Sequence, residues 1–289
     1  MRKTTLFLQS LLIAAVLGGP AFAQLEEFFD DFSTANLPGR LFVPDEAADS
    51  ARPAILFLHG AGEVGSNNLS QINGNINNLF REARNRGAFI YAPQAVTFGW
   101  DGLARTDLVM TMIDQLLANE NVDPNRLYVT GLSMGGGGAW NMASRYSDNF
   151  AATVPIAGVS PAGDFDPDVM TDMSSWAFHA RNDSVVNKIT TRRAVGRILL
   201  AAGQEAPEFP PDSDQTTTLE FVSEDPDLRY TEWPTGGHGI WSRVYSTPEM
   251  YDWMFAKSVP EPAAFALLAM ALSGFVVLRR SSTAKRSRT

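Results

Sequence analysis

Residues 127–136 read Leu-Tyr-Val-Thr-Gly-Leu-Ser-Met-Gly-Gly, and this stretch constrains the fold more than any other part of the chain. An apolar, β-branched run leads into Ser133, which has a glycine two positions away on either side, and a helical stretch is expected from about Gly136 onward. A residue at a sharp strand-to-helix turn needs small neighbours, because side chains there collide. Gly and Ser are common in ordinary turns. It is the strand before and the helix after that give the G-x-S-x-G spacing its meaning.

The rest of the body repeats that alternation. Buried-strand runs are expected at residues 40–43, 54–59, 88–92, 126–131, 152–157 and 175–179, with helices between them at 107–117 and 188–202. The first helix would bury Leu108, Met112, Ile113 and Leu116, the second Ile189, Val195, Ile198 and Leu199. Strands alternating with helices of this length imply a mostly parallel sheet covered on both faces. Residues 204–218, rich in Pro, Asp, Gln and Thr, read as a surface loop, with a substrate-gating lid as the alternative. About twenty residues separate the strands near Ala157 and His179, too few for a large cap domain, so an open cleft is expected.

Composition narrows the chemistry. The 289 residues, 45% hydrophobic, suit one large α/β domain rather than a disordered chain. Zero cysteines exclude disulfides, Cys-ligated metal and a thiol nucleophile. Outside the two termini there are 16 Lys and Arg against 31 Asp and Glu. Such a body repels nucleic acid and anionic lipid, whose phosphates need clustered bases. Asp164-x-Asp166-x-Asp168 opens like a calcium loop, but Val169 and Ser175 stand where a glycine and a bidentate glutamate belong. Residues 135–138 lack dinucleotide-binding spacing. No metal and no cofactor are expected.

The ends read as addresses. Arg2-Lys3, an apolar run from Leu6 to Leu17 and Ala21-Phe22-Ala23 follow the layout of a secretory signal peptide cleaved after Ala23, a retained N-terminal anchor being the alternative. At the other end Val259-Pro260-Glu261-Pro262 precedes an uncharged apolar run, residues 263–278, and then Arg279-Arg280 and a basic tail. That order resembles the PEP-CTERM sorting signal of Gram-negative bacteria; a plain tail anchor is the alternative. The resemblance implies an exosortase-type sorting enzyme as partner and membrane contact through the C-terminal helix, at least transiently. Basic residues after a span stay inside, so residues 24–258 are expected beyond the inner membrane, at the cell surface or outside it.

A serine nucleophile needs a base, and there are three histidines. His59 and His179 each end an apolar strand run, where structural histidines bonded to backbone are usual. His238 lies in Thr235-Gly236-Gly237-His238-Gly239, a flexible loop suited to a mobile base. The acid that fixes the imidazole is expected at Asp183, just past a strand; the rival Asp172 precedes that strand. Backbone amides of Met134 and of Ala61, in His59-Gly60-Ala61-Gly62, would complete an oxyanion hole, with Gly60 or Gly62 as alternative donors. Trp100 and Trp241 are candidate substrate walls, whereas Trp140 reads as core.

Taken together, the His59-Gly60 turn, the Ser133 elbow, the Asp183-x-x-Val186 step and the Gly237-His238-Gly239 loop resemble α/β-hydrolases of the secreted esterase kind. The resemblance extends to the dienelactone-hydrolase, polyhydroxyalkanoate-depolymerase-like and prolyl-oligopeptidase-like groups. It spans about residues 37–257 and implies the α/β-hydrolase fold without a large cap. It also implies an acyl-enzyme route for Ser133, Asp183 and His238 on carboxylic esters. A peptidase and a non-catalytic surface binding protein are the alternatives. An acidic body with flanking tryptophans suits a neutral, medium-sized ester, such as an acetylated or aromatic-acylated sugar, better than a long-chain lipid.

Overall fold

The computed structural model describes residues 25–259. The leader and the PEP-CTERM-like tail, with its expected transmembrane helix, lie outside the described residues. Among the described residues nine strands form one sheet: β1 (Asp30–Asp31), β2 (Gly39–Phe42), β3 (Arg52–Leu58), β4 (Phe89–Pro93), β5 (Val122–Leu132), β6 (Ala152–Ile156), β7 (Ser175–Ala180), β8 (Leu219–Glu224) and β9 (Asp227–Trp233). Their order is β1-β2-β4-β3-β5-β6-β7-β9-β8. The central pairs from β4 to β9 are parallel, and the antiparallel pairs are β1–β2, β2–β4 and β8–β9. This is the mostly parallel sheet that the alternating pattern implied, in the α/β-hydrolase architecture that the resemblance implied.

Both faces are covered, and the strand sequences show why. In β3, Ala54, Leu56 and Leu58 point into one core and Ile55 and Phe57 into the other, as the two-residue period requires. The first core is closed by α2 (Leu103–Asn119), α3 (Met134–Arg145) and α4 (Ile189–Ala201). The second is closed by α1 (Asn77–Asn85), α5 (Trp241–Val244) and α6 (Pro248–Phe255). Helix α2 buries Val109 with Met112, Ile113 and Leu116, while Leu108 is only partly buried. Ile189 departs from expectation because it opens α4 at the rim of the sheet, where it is 36% exposed.

Strand β9 is where apolar periodicity failed as a guide. Its buried face carries Leu228, Tyr230 and then Glu232, a carboxylate held by Arg181 at 2.8 Å and Arg192 at 2.6 Å. Burial opposes ionisation of Glu232, but the bonds from Arg192, Tyr230 and Arg181 outweigh it and hold the carboxyl below its usual range. The same arginines fasten the segment 204–218. Arg181 donates to the carbonyls of Asp214 and Thr217, and Arg192 to that of Pro210. That segment is therefore a surface loop anchored at several points. Between β6 and β7 the only regular element is a 3-10 turn, Val169–Thr171, so nothing there caps the C-terminal edge of the sheet.

Candidate active site

Strand β5 sits in the middle of the sheet and delivers Ser133 at its C-terminal end. Ser133 has φ 56° and ψ −115°, a conformation that costs a non-glycine residue roughly 1–3 kcal/mol. The surrounding backbone holds it: its N–H donates to the Ile156 carbonyl at 2.9 Å, and its own carbonyl accepts from Gly137 and Val159. The flanking glycines are required by packing. A Cβ on Gly131 would stand 2.7 Å from the Leu58 carbonyl oxygen, and one on Gly135 would meet the carbonyls of Leu58 and His59.

The loop after β9 brings His238 against this serine. Its Nε2 is 2.9 Å from Ser133 Oγ and its Nδ1 is 2.7 Å from Asp183 Oδ2. Asp183 follows β7, and its side chain is fully enclosed. Its second oxygen, Oδ1, accepts the backbone N–H groups of Val185 and Val186 at 2.8 and 2.9 Å. Burial opposes ionisation of Asp183, but the hydrogen bonds from His179, His238, Val186 and Val185 outweigh it and hold the carboxyl well below the usual carboxylate range. A buried carboxylate of this kind fixes the imidazole tautomer and stabilises its cation. Asp172 is exposed, ends the 3-10 turn before β7 and makes no contact with His238.

The remaining residues picked from the sequence lie on the loops and helix ends around this cluster or in the core. Ala61 begins a short 3-10 turn after β3, and Met134 is the first residue of α3. Neither amide has an acceptor among the described residues. His59 is structural: Nδ1 donates to the Gly60 carbonyl at 2.6 Å and Nε2 accepts the Ala95 N–H at 2.9 Å. Burial, with some repulsion from Arg105, lowers its pKa to about 4 against the pull of the Gly60 carbonyl, so it is neutral. Trp100 is 2% exposed, and what it exposes borders a small cleft beside Met134. It packs edge-on against His59 and donates Nε1–H to the His59 carbonyl, because the loop that carries it folds inward under α3. Trp140 is core, as expected. Trp241 is half-buried with its ring centroid 5.5 Å from that of His238, at 87°. Asp164 is paired with Arg145.

Three supporting residues were not singled out for this site. Beyond its bonds to Thr191 and the Val186 carbonyl, His179 approaches Asp183 Oδ2 through Nε2 at 3.2 Å. The spacing His179-x-x-x-Asp183 at a strand end was the available signal. Asn182 accepts the Gly237 N–H at 2.8 Å and so ties the histidine loop to the acid loop. Asn75 accepts the Trp241 indole N–H at 2.9 Å. Nothing local in sequence marks either asparagine.

Residues 37–245 match the family model described as "Putative esterase". The chain belongs to this esterase family. Residues 258–281 match the PEP-CTERM protein-sorting motif, which marks this esterase-family chain for export and surface sorting. It is 48% identical over 50 residues to a poly(3-hydroxyalkanoate) depolymerase C of Paucimonas lemoignei, which covers 17% of the chain. It is 28% identical over 151 residues to a bifunctional acetylxylan esterase/xylanase of Neocallimastix patriciarum, which covers 51%. The chain spans only 12% and 21% of the lengths of these two relatives. Among solved structures, a thermostable esterase superposes with TM-score 0.65 at 28% identity, over 80% of this chain and 64% of that one. An acetyl xylan esterase from Aspergillus awamori, at TM-score 0.56 and 14% identity over 72% of this chain and 92% of that one, shares the fold. Among the described residues no helix is long and apolar enough to cross a membrane.

Proposed function

We propose that this protein is an exported serine hydrolase that cleaves carboxylic esters through an acyl-enzyme on Ser133. The observation that carries this reading is the position of His238, within hydrogen-bond distance of Ser133 Oγ on one side and Asp183 Oδ2 on the other. His238 Nε2 takes the Ser133 proton as Oγ bonds to the acyl carbon, and the carbonyl electron pair moves to oxygen. The amides of Met134 and Ala61 hold that oxyanion. Collapse of the adduct breaks the bond to the alcohol, which leaves with the proton from His238. Water then attacks the acyl-enzyme, giving its proton to His238, and the acid leaves as Ser133 recovers a proton. Asp183 keeps Nδ1 protonated and stabilises the imidazolium. The reading needs no metal and no cofactor.

The same reading removes the leader after Ala23 and takes residues 24–258 as the hydrolase body. The segment 259–289 becomes the substrate of an exosortase-type enzyme and holds the chain transiently in the inner membrane. A fluorophosphonate probe tests the chemistry. Labelling of the wild type and none of Ser133→Ala is expected. Absence of labelling in the folded wild type would favour a non-catalytic binding protein, and hydrolysis of peptides alone would favour a peptidase.

A further inference from the structure

The triad and the point where the described chain ends lie at opposite edges of the sheet. Strands β3 to β7 and β9 run parallel, so Ala61, Ser133, Asp183 and His238 all follow C-terminal strand ends and share one edge. The chain leaves from the other edge. After α6 the Lys257 carbonyl accepts the Tyr128 hydroxyl at 2.9 Å, and Lys257 Nζ pairs with Asp227 Oδ2 at 2.6 Å. The Val259 N–H then donates to the Asn125 carbonyl at 2.8 Å. Asp227 opens β9, and Asn125 lies in the first part of β5. From Leu127 to Ser133 the same strand climbs about 20 Å, at about 3.3 Å per residue. The exit and the nucleophile are thus separated by the height of the sheet.

Only Pro260, Glu261 and Pro262 separate Val259 from the apolar run 263–278. The chain from Val259 to Ala263 reaches at most about 14 Å. The headgroup layer of one leaflet takes up about 6 Å of that. Resting on the reading above that the tail holds the chain in the membrane, we infer that the N-terminal edge of the sheet sits against the bilayer headgroups while the triad opens away from them. The tether is shorter than the sheet is tall, so the body cannot turn over to bring Ser133 to the bilayer. The substrate is therefore an ester presented from the aqueous side, and esters of the enzyme's own membrane are out of reach. Charge selects the headgroup. Cations along this edge already have partners: Arg86 pairs with Asp252 at 2.8 Å, Arg126 with Asp123 at 2.6 Å and Lys257 with Asp227. Arg52 donates to the carbonyls of Arg86 and Gly87. Asp148, Glu224 and Asp225 stand exposed. Such an edge suits zwitterionic phospholipid and is repelled by anionic phospholipid.

The test uses the exported chain with its tail intact, in dilute phosphatidylcholine vesicles. The sequence has no cysteine, so Asp148→Cys and Phe98→Cys each take a single fluorophore. Asp148 is exposed in the loop before β6, at the N-terminal edge. Phe98 is 71% exposed at the opposite edge, where the next residue's N–H reaches Met134 Sδ at 3.1 Å. A lipid with a nitroxide headgroup should quench the label at position 148 and leave the one at position 98 bright. Adding phosphatidylglycerol should weaken the quenching at 148, and salt should restore it. In the same vesicles p-nitrophenyl acetate should be hydrolysed from solution, while a short-chain ester carried on a bilayer lipid should stay intact. Equal quenching at both positions, stronger quenching at 98 or cleavage of the bilayer ester would overturn this orientation and leave the hydrolase and anchoring readings standing. Quenching at 148 that rises with phosphatidylglycerol would overturn the choice of headgroup. A chain that does not float with the vesicles would overturn the anchoring reading and this inference with it. Failure to hydrolyse p-nitrophenyl acetate would remove the hydrolase reading alone, while the two labels still decide the orientation.

Discussion

His179 and His238 converge on the same oxygen of Asp183, at 3.2 and 2.7 Å. The first is wholly buried, and its other nitrogen is bonded to the Thr191 hydroxyl on α4. The acid is thereby pinned from behind by a histidine that has no access to substrate. His179→Gln should lower the urea-derived stability by about 1–3 kcal/mol, the cost of a broken buried network. It should also lower kcat about tenfold or more with KM little changed, as loss of an outer supporting partner does elsewhere. A drop in stability with unchanged kcat would make His179 structural only.

Asp183→Asn should reduce kcat on the order of ten-thousand-fold, because the amide favours the wrong imidazole tautomer. Asp172→Asn, at an exposed turn, should leave kcat within about twofold, as surface changes away from a site do. Steady-state rates on p-nitrophenyl acetate decide between the two carboxylates. The reverse ranking would require a different acid.

How much of this was legible beforehand depended on how local each cause is. Ser133, Asp183 and His238 each sit in a turn whose small or acidic neighbours are consecutive in sequence, so their positions could be read directly. The fate of Trp100 could not. Whether an indole in a polar loop faces solvent or tucks under α3 is decided by the His59 carbonyl, 41 positions away. Strands β8 and β9 were also missed. Edge strand β8 alternates partly buried with exposed residues, and β9 buries a glutamate whose two arginine partners lie on other elements. Asn75 and Asn182 act through single long-range hydrogen bonds that leave no periodic trace.

His59 gives the fold a pH dependence with a definite sign. Its pKa is lowered by burial to about 4 from the ordinary 6.5, so between these values the unfolded chain binds a proton that the folded one does not. This contribution is fully present above pH 6.5, shrinks as pH falls and levels off below about 4, for a total of about 3 kcal/mol. Urea unfolding between pH 7 and 4 should show stability falling on acidification, and His59→Asn should flatten the slope over that window. An unchanged slope in the variant would assign the effect elsewhere.

Gly135→Ala should abolish soluble folded protein or shift the Ser133 turn, since its Cβ would press on the backbone carbonyls of Leu58 and His59, which cannot rotate away. Expression followed by circular dichroism and p-nitrophenyl acetate hydrolysis checks this. A folded variant with normal activity would mean that the elbow is looser than its contacts indicate.

The most direct measurement of the central claim is the kcat of Ser133→Ala, His238→Ala and the double variant on p-nitrophenyl acetate, each confirmed folded. Nucleophile and base that act as one unit should each cost about a million-fold alone, with little further loss when both are removed. A Ser133→Ala enzyme that keeps substantial activity, or losses that multiply in the double variant, would contradict catalysis by a Ser133–His238 pair.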